Sequence, residues 1–178
     1  MPSPIGHSLA GLAVGWATNR PGRPLRPLLA QAATLAALSV APDLDLLWGR
    51  HSRETHSLGA ALIVAGLAAW WRWPIGPTRP RIFLAAALVW LAHPLMDAFS
   101  IDNAPPVGVM LWWPFSTEFV HSAHAFFDPI SRSWGSPGVW THNFTAAAHE
   151  AAMIAPILLL VWLLRRSKAI NMGGHGGP

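Results

Sequence analysis

The sequence predicts an all-α protein: a multi-pass membrane bundle of about five helices with one long extracytoplasmic loop. Three observations carry this reading. Only 11% of the 178 residues are charged and 52% are apolar, whereas a soluble domain carries about 25% charge. Five apolar stretches divide the chain, several of them near the roughly 20 residues that cross a hydrocarbon core. Short connectors rich in Pro, Gly and Arg separate them. So much apolar surface excludes disorder as the main state. We expect residues 1–170 to form one domain and 171–178 a flexible tail.

The first stretch, residues 5–18, is short for a crossing and suits a tilted, interfacial or re-entrant helix. No basic region precedes it, so a signal peptide is not expected. The connector 19–27 holds Pro21, Pro24 and Pro27, which oppose a continuous helix. The second stretch, 28–48, is long enough to span. The third, 57–73, is marginal. Residues 74–80 are again Pro-rich, and the fourth stretch, 82–100, can span. A long connector, 101–144, carries Trp112, Trp113, Trp134 and Trp140. Loops of that length usually serve function or hold small elements of their own. The fifth stretch, 145–164, can span. The Trp residues suit core positions or anchors at the membrane interface.

Crossing at every stretch places nine of the twelve basic residues on one side, leaving Arg50, Arg53 and Arg132 on the other. The positive-inside bias makes the richer side cytoplasmic. The N-terminus is then outside and the C-terminus inside, in an inner (plasma) membrane. All eight acids and eight of the nine His fall on the outer side or in the outer helix ends. The net charge of +4 does not indicate nucleic acid, because no basic stripe exists.

Ionisable groups at this depth are costly and are usually paired or functional. The chain has no Cys, so any metal must be held by His, Asp or Glu. His7 opens the first stretch, and Asp43 and Asp45 close the second. His51 and His56 follow. His93 and Asp97 stand four apart, one turn along a helix face, with Pro94 between them favouring a kink. Asp43 and Asp45, two apart, diverge on a helix but converge in a turn. One could bind metal while the other orients a His ring, and helix capping is the rival reading for both. Clustered carboxylates need a compensating cation. Mixed His and carboxylate donors suit zinc above all, with manganese, iron or magnesium as alternatives, and the donors suffice for two ions. His121, His124 and Asp128 repeat the His/Asp spacing within the long loop, where solvent exposure is the simpler expectation. His142, Ala146 and Glu150 share a face if the fifth helix starts early.

These pieces together resemble the YdjM-type family of inner-membrane metal-dependent hydrolases. The resemblance rests on Gly6-His7-Ser8, Pro42-Asp43-Leu44-Asp45, His51 through Thr55-His56-Ser57, His93-Pro94-Leu95-Met96-Asp97, and Trp113-Pro114-Phe115-Ser116. Ser52-Arg53 stands where that family often has Arg-Gly, which leaves open whether Arg53 takes that Arg's place. The resemblance implies an all-helical membrane hydrolase using a divalent metal, with no defined substrate. A more distant similarity is to zinc phospholipase C and the S1/P1-type nucleases, whose ligands follow the order His, Asp, His, His-x3-Asp and a late Glu. Ala146 stands where a late His would be expected.

The function expected is hydrolysis of a phosphoester or lipid-like amphiphile by metal-activated water. His7, Asp43, Asp45, His56, His93 and Asp97 are the expected metal ligands. His51, Arg53 and Glu150 are the expected catalytic groups, with Arg53 or His51 stabilising the developing anion and a free carboxylate acting as base. The rival is a metal-binding transport or interaction protein without hydrolase activity. The expected partners are the bilayer and the substrate, not nucleic acid.

Overall fold

Ser3 caps the first helix: its hydroxyl accepts from Gly6 N, and Pro4 occupies the first turn, where a missing N–H costs nothing. The computed structural model describes residues 1–21, 25–103 and 105–173. Helix α1 spans Pro4–Thr18, α2 Leu25–Val40, α3 Leu58–Trp70, α4 Arg79–Ala98 and α5 Val139–Gly173. Two 3-10 segments, Ala41–Trp48 and Glu54–His56, lie between α2 and α3. The described residues contain no strand, only two isolated bridges, Ser100 with Phe127 and Val109 with Val120.

Three helices begin three or more residues before their apolar stretches. Helix α2 starts at Leu25 with Pro27 in its first turn, so residues 25–27 of the Pro-rich connector are helical. Pro80 falls in the first turn of α4, where Pro is tolerated, so the connector's end is already helical. Helix α5 starts at Val139 rather than near residue 145. The second stretch changes character at Pro42, where the α-helix gives way to the tighter 3-10 form. Gly49, at φ 68°, closes that segment, and its N–H reaches Asp45 O and Leu46 O. Residues 174–178, with His175, lie outside the described residues.

Helix α1 packs against α2, α4 and α5, and α4 packs against α1, α2 and α3. Among the described residues, α2 and α3 both lie on α4 without packing on each other. The core combines Trp16, Leu35, Leu38, Ala65, Val89 and Trp90. Three segments are long and apolar enough to cross a membrane: Leu25–Trp48, Arg79–Ala98 and Val139–Arg165. Ile157, Leu159, Leu160, Leu163 and Leu164 of α5 are exposed, as lipid-facing residues must be.

The long connector folds back over the helix ends. Val109 and Val120 exchange both backbone bonds, at 3.0 and 2.8 Å. Met110 N donates to Ser52 O at 2.9 Å, and Leu58 N and Gly59 N donate to Leu111 O and Trp113 O at 2.8 and 2.9 Å. The start of α3, and with it His56, is held from above.

Candidate metal centre

Helices α1, α3 and α5 begin, and α2 and α4 end, at one end of the bundle. The acidic and imidazole groups gather there. His7 comes from the first turns of α1, Asp43 and Asp45 from the 3-10 segment after α2, and His56 from the short 3-10 turn before α3. His93 and Asp97 lie one turn apart near the end of α4. His7, His56 and His93 have no exposed surface, and Asp45 and Asp97 are 1% and 4% exposed.

Four donor atoms form a compact set. His93 Nε2 lies 3.2 Å from Asp97 Oδ2 and 3.4 Å from Asp43 Oδ1. His56 Nε2 lies 3.4 Å from Asp97 Oδ2, 3.6 Å from Asp43 Oδ1 and 3.2 Å from His93 Nε2. A tetrahedral ion with bonds of about 2.1 Å sets its ligands about 3.4 Å apart. Five edges of this polyhedron therefore already have the length that a zinc-sized ion requires.

The outer hydrogen bonds fix which ring nitrogens point inward. His93 Nδ1 lies 2.7 Å from the Ser39 carbonyl. A carbonyl only accepts, so Nδ1 is the donor and Nε2 bears the lone pair. His56 Nδ1 faces Asp45 Oδ2 at 3.1 Å, which sets the same tautomer. The two Nε2 lone pairs face each other at 3.2 Å, so either a proton on one of them or a metal ion between them is needed to relieve their repulsion. Burial opposes charge on His56, but Asp43 and Asp45 outweigh it and raise its pKa above the ordinary 6.5. A proton and a metal ion thus compete for the same nitrogen.

The polar accounting points the same way. Both ring nitrogens of His7, Asp43 Oδ1 and both carboxylate oxygens of Asp97 are buried with no hydrogen-bond partner among the described residues. Buried polar groups are rarely left unpaired, and unpartnered lone pairs gathered this closely suit a cation.

Asp43 and Asp45 take different sides of His56. The 3-10 geometry directs Asp43 Oδ1 to the Nε2 side and Asp45 to the Nδ1 side. Asp45 accepts from His51 Nδ1 at 2.9 Å and from Thr55 Oγ1 at 2.5 Å, and the Thr55 oxygen in turn accepts from His56 Nδ1 at 3.0 Å, which also lies 3.1 Å from Asp45 Oδ2. Asp45 thus orients the His51 ring directly and the His56 ring through Thr55, and with Asp43, His51 and His56 it also forms a group whose candidate ligand atoms lie within 4.8 Å of one another.

His51 turns a buried Nε2, without a partner among the described residues, away from Asp45, and it borders a cavity of about 570 Å³ shared with Ser52, Arg53, Asp102, Asn103 and Arg132. The Arg53 guanidinium also sits 5.9 Å from the centroid of the Phe119 ring. Glu150 is fully buried but is not brought into the cluster. Its Oε1 and Oε2 accept from Ser3 N at 2.8 and 3.0 Å, and Ser3 Oγ adds a further bond. Both of its oxygens are spent on pinning the start of α1 to α5. His142 shares the α5 face but bonds to Pro129 O. His121 bonds to Ser100 O, His124 is exposed, and Asp128 pairs with His149 at the surface.

Two supporting residues escaped the sequence reading. Ser39 donates to His7 O at 2.6 Å while its carbonyl holds His93. It occupies the last turn of α2, where free carbonyls need partners, and that position was the available signal. Thr55 bonds Asp45, and its carbonyl accepts from Trp90 Nε1 at 2.8 Å.

Fold and site together define an all-helical membrane protein with a buried His/Asp centre suited to a divalent cation. The chain matches the family model described as YdjM inner membrane protein over residues 1–170, and it belongs to that family. Neither a curated protein nor a solved structure matches it.

Proposed function

We propose that this protein is a membrane-bound, metal-dependent hydrolase acting on an amphiphilic phosphoester, with zinc as the favoured metal. The observation that carries the reading is the set of ligand-to-ligand distances of 3.2–3.6 Å among Asp43, His56, His93 and Asp97. When bound, a divalent ion lowers the pKa of water toward about 7 and polarises a phosphoryl oxygen. His51, its Nδ1 engaged by Asp45, offers Nε2 to take a proton from water entering through the cavity. Arg53 and Arg132 border that cavity and suit an anionic head group.

A lipid-like tail has a matching place. The slot between α2 and α3, floored by Trp90 of α4, is an apolar groove of about 660 Å³ lined by Ala37, Ala41, Val64, Leu67 and Trp71. Trp90 lies one turn before His93, and Ala41 two residues before Asp43. We take the groove's occupant to be one hydrocarbon chain of the substrate. The charge bias of the connectors puts the centre at the extracytoplasmic face. A transport role is less well supported, because the ionisable groups collect at one end of the bundle, whereas a through-path needs them along its length.

The test uses the full chain in detergent. Elemental analysis should find bound divalent metal, and His93→Ala or Asp97→Ala should lose it while helical circular dichroism persists. Hydrolysis of a phospholipid or generic phosphodiester should require metal and stop with chelator. Unchanged metal content in both variants would reject the centre, and metal binding without hydrolysis would favour the transport or interaction role.

A further inference from the structure

We infer that the centre holds two divalent ions bridged by Asp97, the second of them on His7. This rests on the metal reading above and extends it.

His7 is the group that the four-atom set does not use. It is fully buried, and neither ring nitrogen has a hydrogen-bond partner among the described residues. Its Nε2 stands 3.5 Å from Asp97 Oδ1, too long for a good hydrogen bond but suitable for two ligands of one ion. The His7 ring stacks on His93 with centroids 3.7 Å apart and planes 15° from parallel. Both Nε2 atoms face the same carboxylate, His7 toward Oδ1 and His93 toward Oδ2.

A metal bound to imidazole lies in the ring plane, along the nitrogen lone pair. Two stacked, near-parallel rings therefore cannot both aim at one ion. They aim at two points separated by about the stacking distance. That distance, 3.7 Å, falls within the about 3.5–4 Å of two-metal sites. A carboxylate that turns one oxygen to each point is the bridge such a pair needs, and both Asp97 oxygens are otherwise unpartnered.

The coordination count supports the same division. Asp43, His56, His93 and Asp97 would fill four positions around the first ion, so the open position that metal-activated water needs falls to the second. The second position takes two protein ligands, His7 and Asp97, and leaves room for solvent and substrate. Nitrogen and carboxylate donors there suit zinc or manganese.

The experiment counts ions in the full chain in detergent, stripped with chelator, reloaded with Mn²⁺ or Zn²⁺ and desalted. Wild type should retain two equivalents per chain, and the Mn²⁺ form should show the electron paramagnetic resonance signal of a spin-coupled pair. His7→Ala should retain one equivalent with an uncoupled signal, and His7→Gln, which better fills the space, should do the same. One equivalent in wild type, or a coupled pair surviving in either variant, overturns the inference and leaves the first ion standing. No retained metal in wild type overturns the metal reading itself, a result distinct from a single equivalent.

Discussion

Replacing Asp45 by Asn is expected to weaken divalent-metal binding by about 10- to 100-fold without abolishing it. Asp45 accepts one donor on each oxygen, His51 Nδ1 at 2.9 Å and Thr55 Oγ1 at 2.5 Å, and His56 Nδ1 lies 3.1 Å from Oδ2. Asn keeps one oxygen and puts an amide N–H₂ where the other was, so at least one donor meets a donor. The loss of one charge-assisted hydrogen bond is worth about 1.5–3 kcal/mol. The 10- to 100-fold range corresponds to about 1.4–2.7 kcal/mol, so the two routes agree. The assay is competition against a chromophoric chelator in detergent at fixed pH. Asp97→Asn, which removes a carboxylate of the four-atom set itself, should show no measurable binding beside it. Affinity in Asp45→Asn equal to wild type would refute its orienting role. Loss as complete as in Asp97→Asn would make Asp45 a direct ligand.

Two further predictions follow from the same geometry. Charged His56, its pKa raised in the metal-free fold, contributes stability below pH 6.5 that is lost as pH rises through the raised value. Metal needs that nitrogen free, so the melting-temperature gain on adding metal should grow from about pH 6 to about pH 8; a gain that shrinks over that range would contradict the competition. Gly6→Ala should destabilise the fold by about 1–3 kcal/mol, because its Cβ would come 2.9 Å from Glu150 Cδ and 3.2 Å from Glu150 Cβ. Ser3 holds that carboxylate in place, so an unchanged thermal melt would refute the close α1–α5 contact.

The helices were legible because their signal is local. The apolar runs mark α1, α3 and α4 to within a few residues and the central parts of α2 and α5, and the i, i+4 spacing of His93 and Asp97 already put both on one face of α4. The early start of α5 was not legible, because residues 139–144 are neither a strongly apolar run nor marked by a capping residue. The division of labour between Asp43 and Asp45 was left open for a clear reason. It depends on the 3-10 form of residues 41–48, and on where His56 enters from another segment. The sequence puts Glu150 among the catalytic groups because an acid at a His-rich helix end invites that reading. Its actual partner, Ser3, is 147 residues away in sequence, and no spacing rule reaches so far. The stacking of His7 on His93 is equally invisible to pattern, since it is set by how α1 settles on α4.

Helix α4 supplies two of the clustered side chains and also touches three of the other helices. Synthesis runs from the N-terminus, so His7, Asp43 and His56 are made while α4 is still absent. Until it arrives, these groups have neither their remaining neighbours nor the surface that buries them. Assembly of the polar end therefore waits on α4, and completion of the bundle waits on α5, which follows it and closes against α1.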